Sequence, residues 1–239
     1  MSAAEPDHTI VRRVVQAGRA LAAAGQSDMV WGHVALRDPR GRGVWMKAAG
    51  WSFDEVTPER VLLVGWDGNR LLGDGAVHLE CHLHLSVLSA RADVDASVHT
   101  HPPAVNAFSA LAIPLLAISH DGVLFADPQV PRSALSGDLI ADPGRGDRLA
   151  AELGAAPACL LPRHGLVAVG AWEGAAVMHA VLLTAACSVM LQASAAGTVL
   201  SWSDADEIAM KKIHAWPASQ LRAGYDHLVR AADRRFPPT

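Results

Sequence analysis

The sequence predicts an α/β fold with a mixed or antiparallel sheet and a helical C-terminal third. Two observations lead there. Up to about residue 170, short apolar runs, several alternating with polar residues, are separated by Gly, Pro, Asp and Asn turns, the pattern of strands. From Glu173 onward apolar residues recur at helical spacing almost without interruption. At 239 residues, 51% of them hydrophobic and 18% charged, the chain has the balance of a folded enzyme-like domain. No repeat or linker divides it, so residues 1–239 read as one domain whose helical third begins near 173.

In chain order, Val11, Val14, Val15, Leu21 and Ala22 form the stripe of a helix over Thr9 to Ala24, with Gly18 on the same face and Gly25 at the C-cap. Val30 to Arg37 and Val44 to Lys47 are strands around the turn Asp38-Pro39-Arg40-Gly41-Arg42-Gly43. Thr57-Pro58-Glu59 starts a helical turn. Val61 to Trp66 and Arg70 to Leu72 form a hairpin about Asp67-Gly68-Asn69. A helix over His78 to Arg91 has Leu79, Leu83, Val87 and Ala90 as its core stripe, with Glu80 and His84 one turn apart. The strand ending in Ser97-Val98-His99-Thr100-His101 follows. After it come a helix over 104–111, a strand over Leu115 to Ser119 and a turn-rich stretch to Asp142. Next are a helix over 146–153, two short strands flanking Arg163-His164-Gly165, and helices over 173–196, 203–214 and 218–234, the middle one capped by Ser203 or Asp204.

Charge and composition exclude several roles. A net charge of −4 offers neither a basic field for nucleic acid nor a polybasic arm for a membrane surface. Cys81, Cys159 and Cys187 are odd in number and lie in apolar segments, so they read as buried reduced thiols of a cytoplasmic protein. Met1 to His8 is short and polar, unlike a signal peptide. Ala175 to Ala196 is apolar enough to suggest a membrane span, but His179, Thr184, Ser188 and Gln192 interrupt it, and a buried helix is expected.

The chemistry centres on His99 and His101. Two residues apart on a strand they face one way, and the prolines at 102 and 103 end the strand there. Converging imidazoles suit a divalent transition metal, although a His-x-His at a strand end is also open to an incidental reading. A catalytic site needs three or four ligands, and His164 on its turn and Glu80 before the His99 strand are the further candidates.

The order of these pieces resembles the class II aldolase/adducin family: Glu80 and His84, then Ser-Val-His-Thr-His-Pro-Pro, then Leu-Leu-Pro-Arg-His-Gly-Leu. Ala17-Gly18-Arg19, Gly32-His33-Val34-Ala35-Leu36-Arg37, the Thr57 turn, the Asp67 hairpin and Arg91-Ala92-Asp93-Val94 correspond as well. The resemblance implies a three-layer α/β/α sandwich around a mostly antiparallel sheet and a homotetramer with sites near subunit interfaces. It also implies one divalent ion per subunit (Zn, Mn, Fe or Co) on His99, His101 and His164. Glu80 corresponds to the acidic residue that ligates the ion at rest and acts in proton transfer.

Departures from the sugar-phosphate aldolases of that family are informative. Trp31-Gly32-His33, Ala49-Gly50 and His78-Leu79 stand where those enzymes carry small hydroxyl and amide groups for a phosphate. Tryptophan, alanine and leucine remove those donors and add an aromatic wall. The Trp-Gly-His segment resembles the aromatic decarboxylase branch, which includes 3,4-dihydroxyphthalate decarboxylases. The resemblance implies a metal-dependent decarboxylase of an ortho-hydroxylated aromatic dicarboxylate, a small aromatic acid being the partner, with no nucleic acid and no membrane. Candidate proton donors are Glu80, His33 and His84, the last read chiefly as orienting a ligand. Trp31 would wall the substrate, and Lys47 and Arg163 are the cations for a second carboxylate. Arg37 reads as a structural ion pair beside Asp38, and His78, His82 and His120 as surface or turn residues. The family's catalytic tyrosines find no counterpart in the only tyrosine, Tyr225. Alternatives are an aldolase or dehydratase of a small non-phosphorylated hydroxy-carbonyl, an iron oxygenase on the same site and an adducin-like interaction domain.

Overall fold

A computed structural model describes residues 7–135 and 137–236; the polar stretch ahead of Asp7 lies outside them. Helix α1 (His8–Ala23) starts on Asp7, whose carboxylate accepts from the amides of Thr9 and Ile10. It ends as a Schellman cap, with Gly25 in the left-handed region at φ 72° and the amides of Gly25 and Gln26 bonded to Ala22 and Leu21. Strands β1 (His33–Arg37), β2 (Gly43–Lys47), β3 (Val61–Gly65) and β4 (Arg70–Leu72) follow as a meander. Next come α2 (Cys81–Ala90), β5 (Ala96–Thr100), α3 (Pro103–Ser109), the short α4 (Val123–Ala126) and α5 (Pro143–Leu153). The chain ends with β6 (Ala158–Leu161), β7 (Gly165–Gly170), α6 (Glu173–Ala196), α7 (Ala205–His214) and α8 (Ala218–Arg235).

The strands make one seven-stranded sheet, order β4-β3-β2-β1-β5-β7-β6, with every ladder antiparallel. Alternation splits each strand between two cores. Val34, Leu36, Trp45, Leu63, Ala96 and Val98 pack under α1, α3, α6 and α8. Ala35, Val44, Met46, Leu62, Val64 and Val167 pack under α2 and α5. This is the expected α/β/α sandwich. Helix α6 is, among the described residues, the one helix long and apolar enough to cross a membrane, and it lies against β5, β7, α1 and α3 with much of its surface buried. The three cysteines are free and buried.

Four local expectations are corrected. The stretch 115–119 forms no strand, because the side-chain amide of Gln129 bonds both the N–H and the C=O of Leu115 in place of a neighbouring strand. The strand at Val30 begins only at His33; Met29 (φ 45°) turns the chain, and the Trp31 amide bonds Asp28 O. Helix α2 begins at Cys81, leaving Leu79 exposed in the preceding turn instead of in the core. Ala90, at its other end, is also exposed. Arg37 pairs with Asp95 and caps the carbonyls of Leu88, Arg91 and Val94, whereas Asp38 belongs to Arg42 and Trp45.

Candidate metal centre and its cavity

The register of β5 builds the centre. His99 pairs with His33 on β1 and with Val167 on β7, on the sheet face that α2 covers. Ser97, two residues earlier, faces the same way and meets His84 of α2. His101 lies just beyond the strand, and His164 sits on the turn between β6 and β7. Arg163 takes a left-handed backbone at φ 66° before it. Glu80 occupies the N-cap position of α2 without capping it: Oε1 accepts from the amide of Ile140 at 2.8 Å, and the carboxylate turns to the histidines.

One atom each from Glu80, His99, His101 and His164 lies within 4.8 Å of the others. His99 Nε2 is 3.6 Å from Glu80 Oε2, and His164 Nε2 is 3.4 Å from Glu80 Oε1. Ligands about 2.1 Å from a shared tetrahedral ion stand roughly 3.4 Å apart. The protons support the same reading. His99 Nδ1–H donates to Leu166 O at 2.8 Å and His101 Nδ1–H to the Asp28 carboxylate at 3.2 Å. Each neutral ring then has a bare Nε2, and the two Nε2 atoms face each other at 2.9 Å. Two lone pairs at that distance repel unless a cation lies between them. Burial, aided by His99 and His164, pushes His101 down to about 4, so the ring is neutral and ready to ligate at neutral pH. For Glu80, burial alone would raise the carboxyl, but the adjoining His164 and His99 outweigh it and hold it well below the usual carboxylate range. The donor set fits a divalent transition metal.

A second group of histidines adjoins the first. His33 Nδ1 and His84 Nε2 are 2.6 Å apart, and His84 Nδ1 is 2.9 Å from Ser97 Oγ. The His33 ring lies 4.6 Å from His78 and 4.9 Å from His99, centre to centre. Burial, reinforced by neighbouring histidines, keeps His33 and His84 far below the ordinary imidazole range. His78, expected at the surface, is buried and pushed down to about 3, chiefly by desolvation. The sequence carried no signal for it beyond its place two residues before Glu80.

Beside this group opens a cavity of about 430 Å³ lined by Trp31, His33, Ala49, Leu79, Glu80 and Leu139, among others. Trp31, Ala49 and Leu79, the three positions singled out as departures, meet in its wall. Lys47 does not serve as a free cation there. It is buried, and its ammonium reaches Val30 O, Trp51 O and His78 Nε2, which occupy all three donors. Arg163 is exposed on the His164 turn. His82 is half-buried, and His120 lies outside the cavity in a short 3₁₀ turn.

Residues 12–191 match the family model described as Class II Aldolase and Adducin N-terminal domain. The 3,4-dihydroxyphthalate decarboxylase of Arthrobacter keyseri is 32% identical over 218 residues, covering 78% of this chain and 79% of that protein. Decarboxylase NovR of Streptomyces niveus is 32% identical over 174 residues, 71% of this chain; the match spans less than two thirds of NovR, 64% of its length. Among solved structures, an aldolase II superfamily protein from Pseudomonas syringae superposes with a TM-score of 0.85 at 26% identity, covering 97% of this chain and 95% of that one. The chain belongs to the class II aldolase and adducin family.

Proposed function

We propose that this chain is a metal-dependent lyase that decarboxylates an ortho-hydroxylated aromatic acid, with 3,4-dihydroxyphthalate to protocatechuate the reaction to test first. The observation that carries the proposal is the cavity: Glu80 and His33 share it with the indole of Trp31 and with Ala49, Val77, Leu79 and Leu139. Such walls suit the faces of a flat ring and offer few donors to a phosphate dianion. The relatives named decarboxylase support the same reading. An intact set of four donors favours an enzyme over an interaction domain.

A divalent ion on His99, His101 and His164, with Glu80, supplies Lewis acidity to the phenolic and carboxylate oxygens when bound. Glu80, ionised at rest, accepts the phenolic proton at Oε2 and returns it to the ring carbon that bears the carboxylate. The carbon–carbon bond then breaks, its electron pair restores the ring, and carbon dioxide leaves. Water reprotonates the phenolate. Trp31 and Leu79 hold the ring and exclude water. Arg163 is the remaining candidate for a second carboxylate. The reading includes a homotetramer in the cytoplasm, and light scattering tests the assembly.

The experiment is carbon dioxide release from 3,4-dihydroxyphthalate by the metal-loaded protein, with metal content measured alongside. Release that disappears in Glu80→Gln supports the proposal. No release from any ortho-hydroxy aromatic acid, with clean retro-aldol turnover instead, would overturn it.

A further inference from the structure

The proton inventory of the second histidine group assigns His33 a role that burial alone leaves open. Ser97 is wholly buried, and among the described residues the hydrogen-bond partner of its hydroxyl is Nδ1 of His84. Were Ser97 Oγ the acceptor, its own hydrogen would be buried without a partner, which costs more than an unused oxygen lone pair. The hydroxyl therefore donates to His84 Nδ1. His84 must then carry its proton on Nε2, and over 2.6 Å that N–H donates to His33 Nδ1. One proton remains on the His33 ring, on Nε2.

We propose that Ser97 and His84 are positioning residues that lock His33 as a neutral Nε2–H donor, and that this donor binds a carboxylate or phenolate oxygen of the substrate. The cavity lined by His33 has no lysine or arginine among its described lining residues, so a fixed neutral donor takes the place of a cation there. All three side chains are buried: 0% exposed for Ser97 and His84, 2% for His33. The chain ends at a serine on the central strand, with no onward route for a proton. His33 so held orients the substrate and leaves proton delivery to Glu80. The role of the donor rests on the aromatic-acid reading; the direction of the hydrogen bonds does not.

The test has two arms. In the first, long-range ¹H–¹⁵N NMR of the zinc-loaded, ¹⁵N-histidine-labelled protein reads the tautomers. The expected spectrum shows His33 and His84 protonated on Nε2, and Ser97→Ala, which deletes the terminal donor, gives mixed tautomers. His33 found protonated on Nδ1 in the wild-type protein overturns the proposal. In the second arm, Ser97→Ala is expected to raise KM for the aromatic acid on the order of 10-fold, with kcat and zinc content within 2-fold. Ser97→Thr, which keeps the hydroxyl, restores KM. Unchanged KM in Ser97→Ala, or equal loss in Ser97→Ala and Ser97→Thr, overturns the substrate role. If no aromatic acid is turned over at all, the decarboxylase reading falls while the spectrum still decides the hydrogen-bond direction.

Discussion

The ammonium of Lys47 lies 3.1 Å from Nε2 of His78, and both side chains are buried, Lys47 at the end of β2 and His78 in the cavity lining. Desolvation brings Lys47 down to about 7, with Glu55 opposing weakly. Unfolding returns it to its ordinary value, so between those limits the unfolded chain binds more protons and stability rises with pH. Metal-free protein is expected to gain roughly 1–2 kcal/mol from pH 7 to 8.5 from this group. That window lies below the ordinary thiol value from which Cys159 and Cys187 are raised, so their opposing contribution is small there. Urea melts at both pH values check the gain, and Lys47→Met should flatten it.

Asp28 holds His101 through Nδ1, and Leu166 O holds His99 in the same way. Second partners of this kind fix a ligand's tautomer, and losing one weakens metal binding about 10–100-fold. Asp28→Ala should show that loss in a chelator competition while the fold is retained. His99→Ala and His164→Ala should lose the metal altogether by elemental analysis.

Gly165 follows His164 and opens β7. A Cβ there would press on the Thr100 carbonyl oxygen and come within 2.9 Å of Cδ2 of His101. Relief requires β7 to move off β5, which carries His164 away from His101. Gly165→Ala should therefore cost about 1–3 kcal/mol in urea melts and also weaken the metal, since strain and ligand share one spot.

Arg163 sits at φ 66°, where a side chain costs about 1–3 kcal/mol and glycine little. Arg163→Gly should leave stability unchanged or raise it, against the usual sign for a substitution beside a site. If the arginine contacts the second carboxylate of a dicarboxylate, KM should rise severalfold for 3,4-dihydroxyphthalate and stay constant for a monocarboxylic analogue. Paired steady-state assays measure the difference.

Much of this was readable in the residues. Period-two spacing put His99 and His101 on one side, and the glycine after His164 marked its turn. The layered sandwich was implied by the family resemblance and not by alternation, since β1 and β2 are buried on both faces. What escaped was decided by partners distant in sequence. Gln129 reaches back to Leu115 and turns an apparent strand into coil. Lys47 looked like a free cation because nothing nearby in the chain announces that Val30 O, Trp51 O and His78 surround it. His78 looked polar and exposed because helical periodicity ran one turn too far toward the N-terminus; with α2 starting at Cys81, Leu79 points out and His78 goes in.

The antiparallel pairing of β1 with β5 sets His33 opposite His99, whereas the cavity walls come from the turns around Trp31, Ala49, Val77 and Leu139. Strands β1 and β5 thus hold His33 and His99, whereas turns supply Glu80 and His164 together with the cavity walls. A one-residue slip of β5 would turn Ser97 and His99 away together, so that strand resists piecemeal change. The turns carry no such register constraint and can be exchanged singly, provided Glu80 beside Val77 is kept. A laboratory seeking a new substrate for this scaffold should randomise those four turns and leave the strands alone.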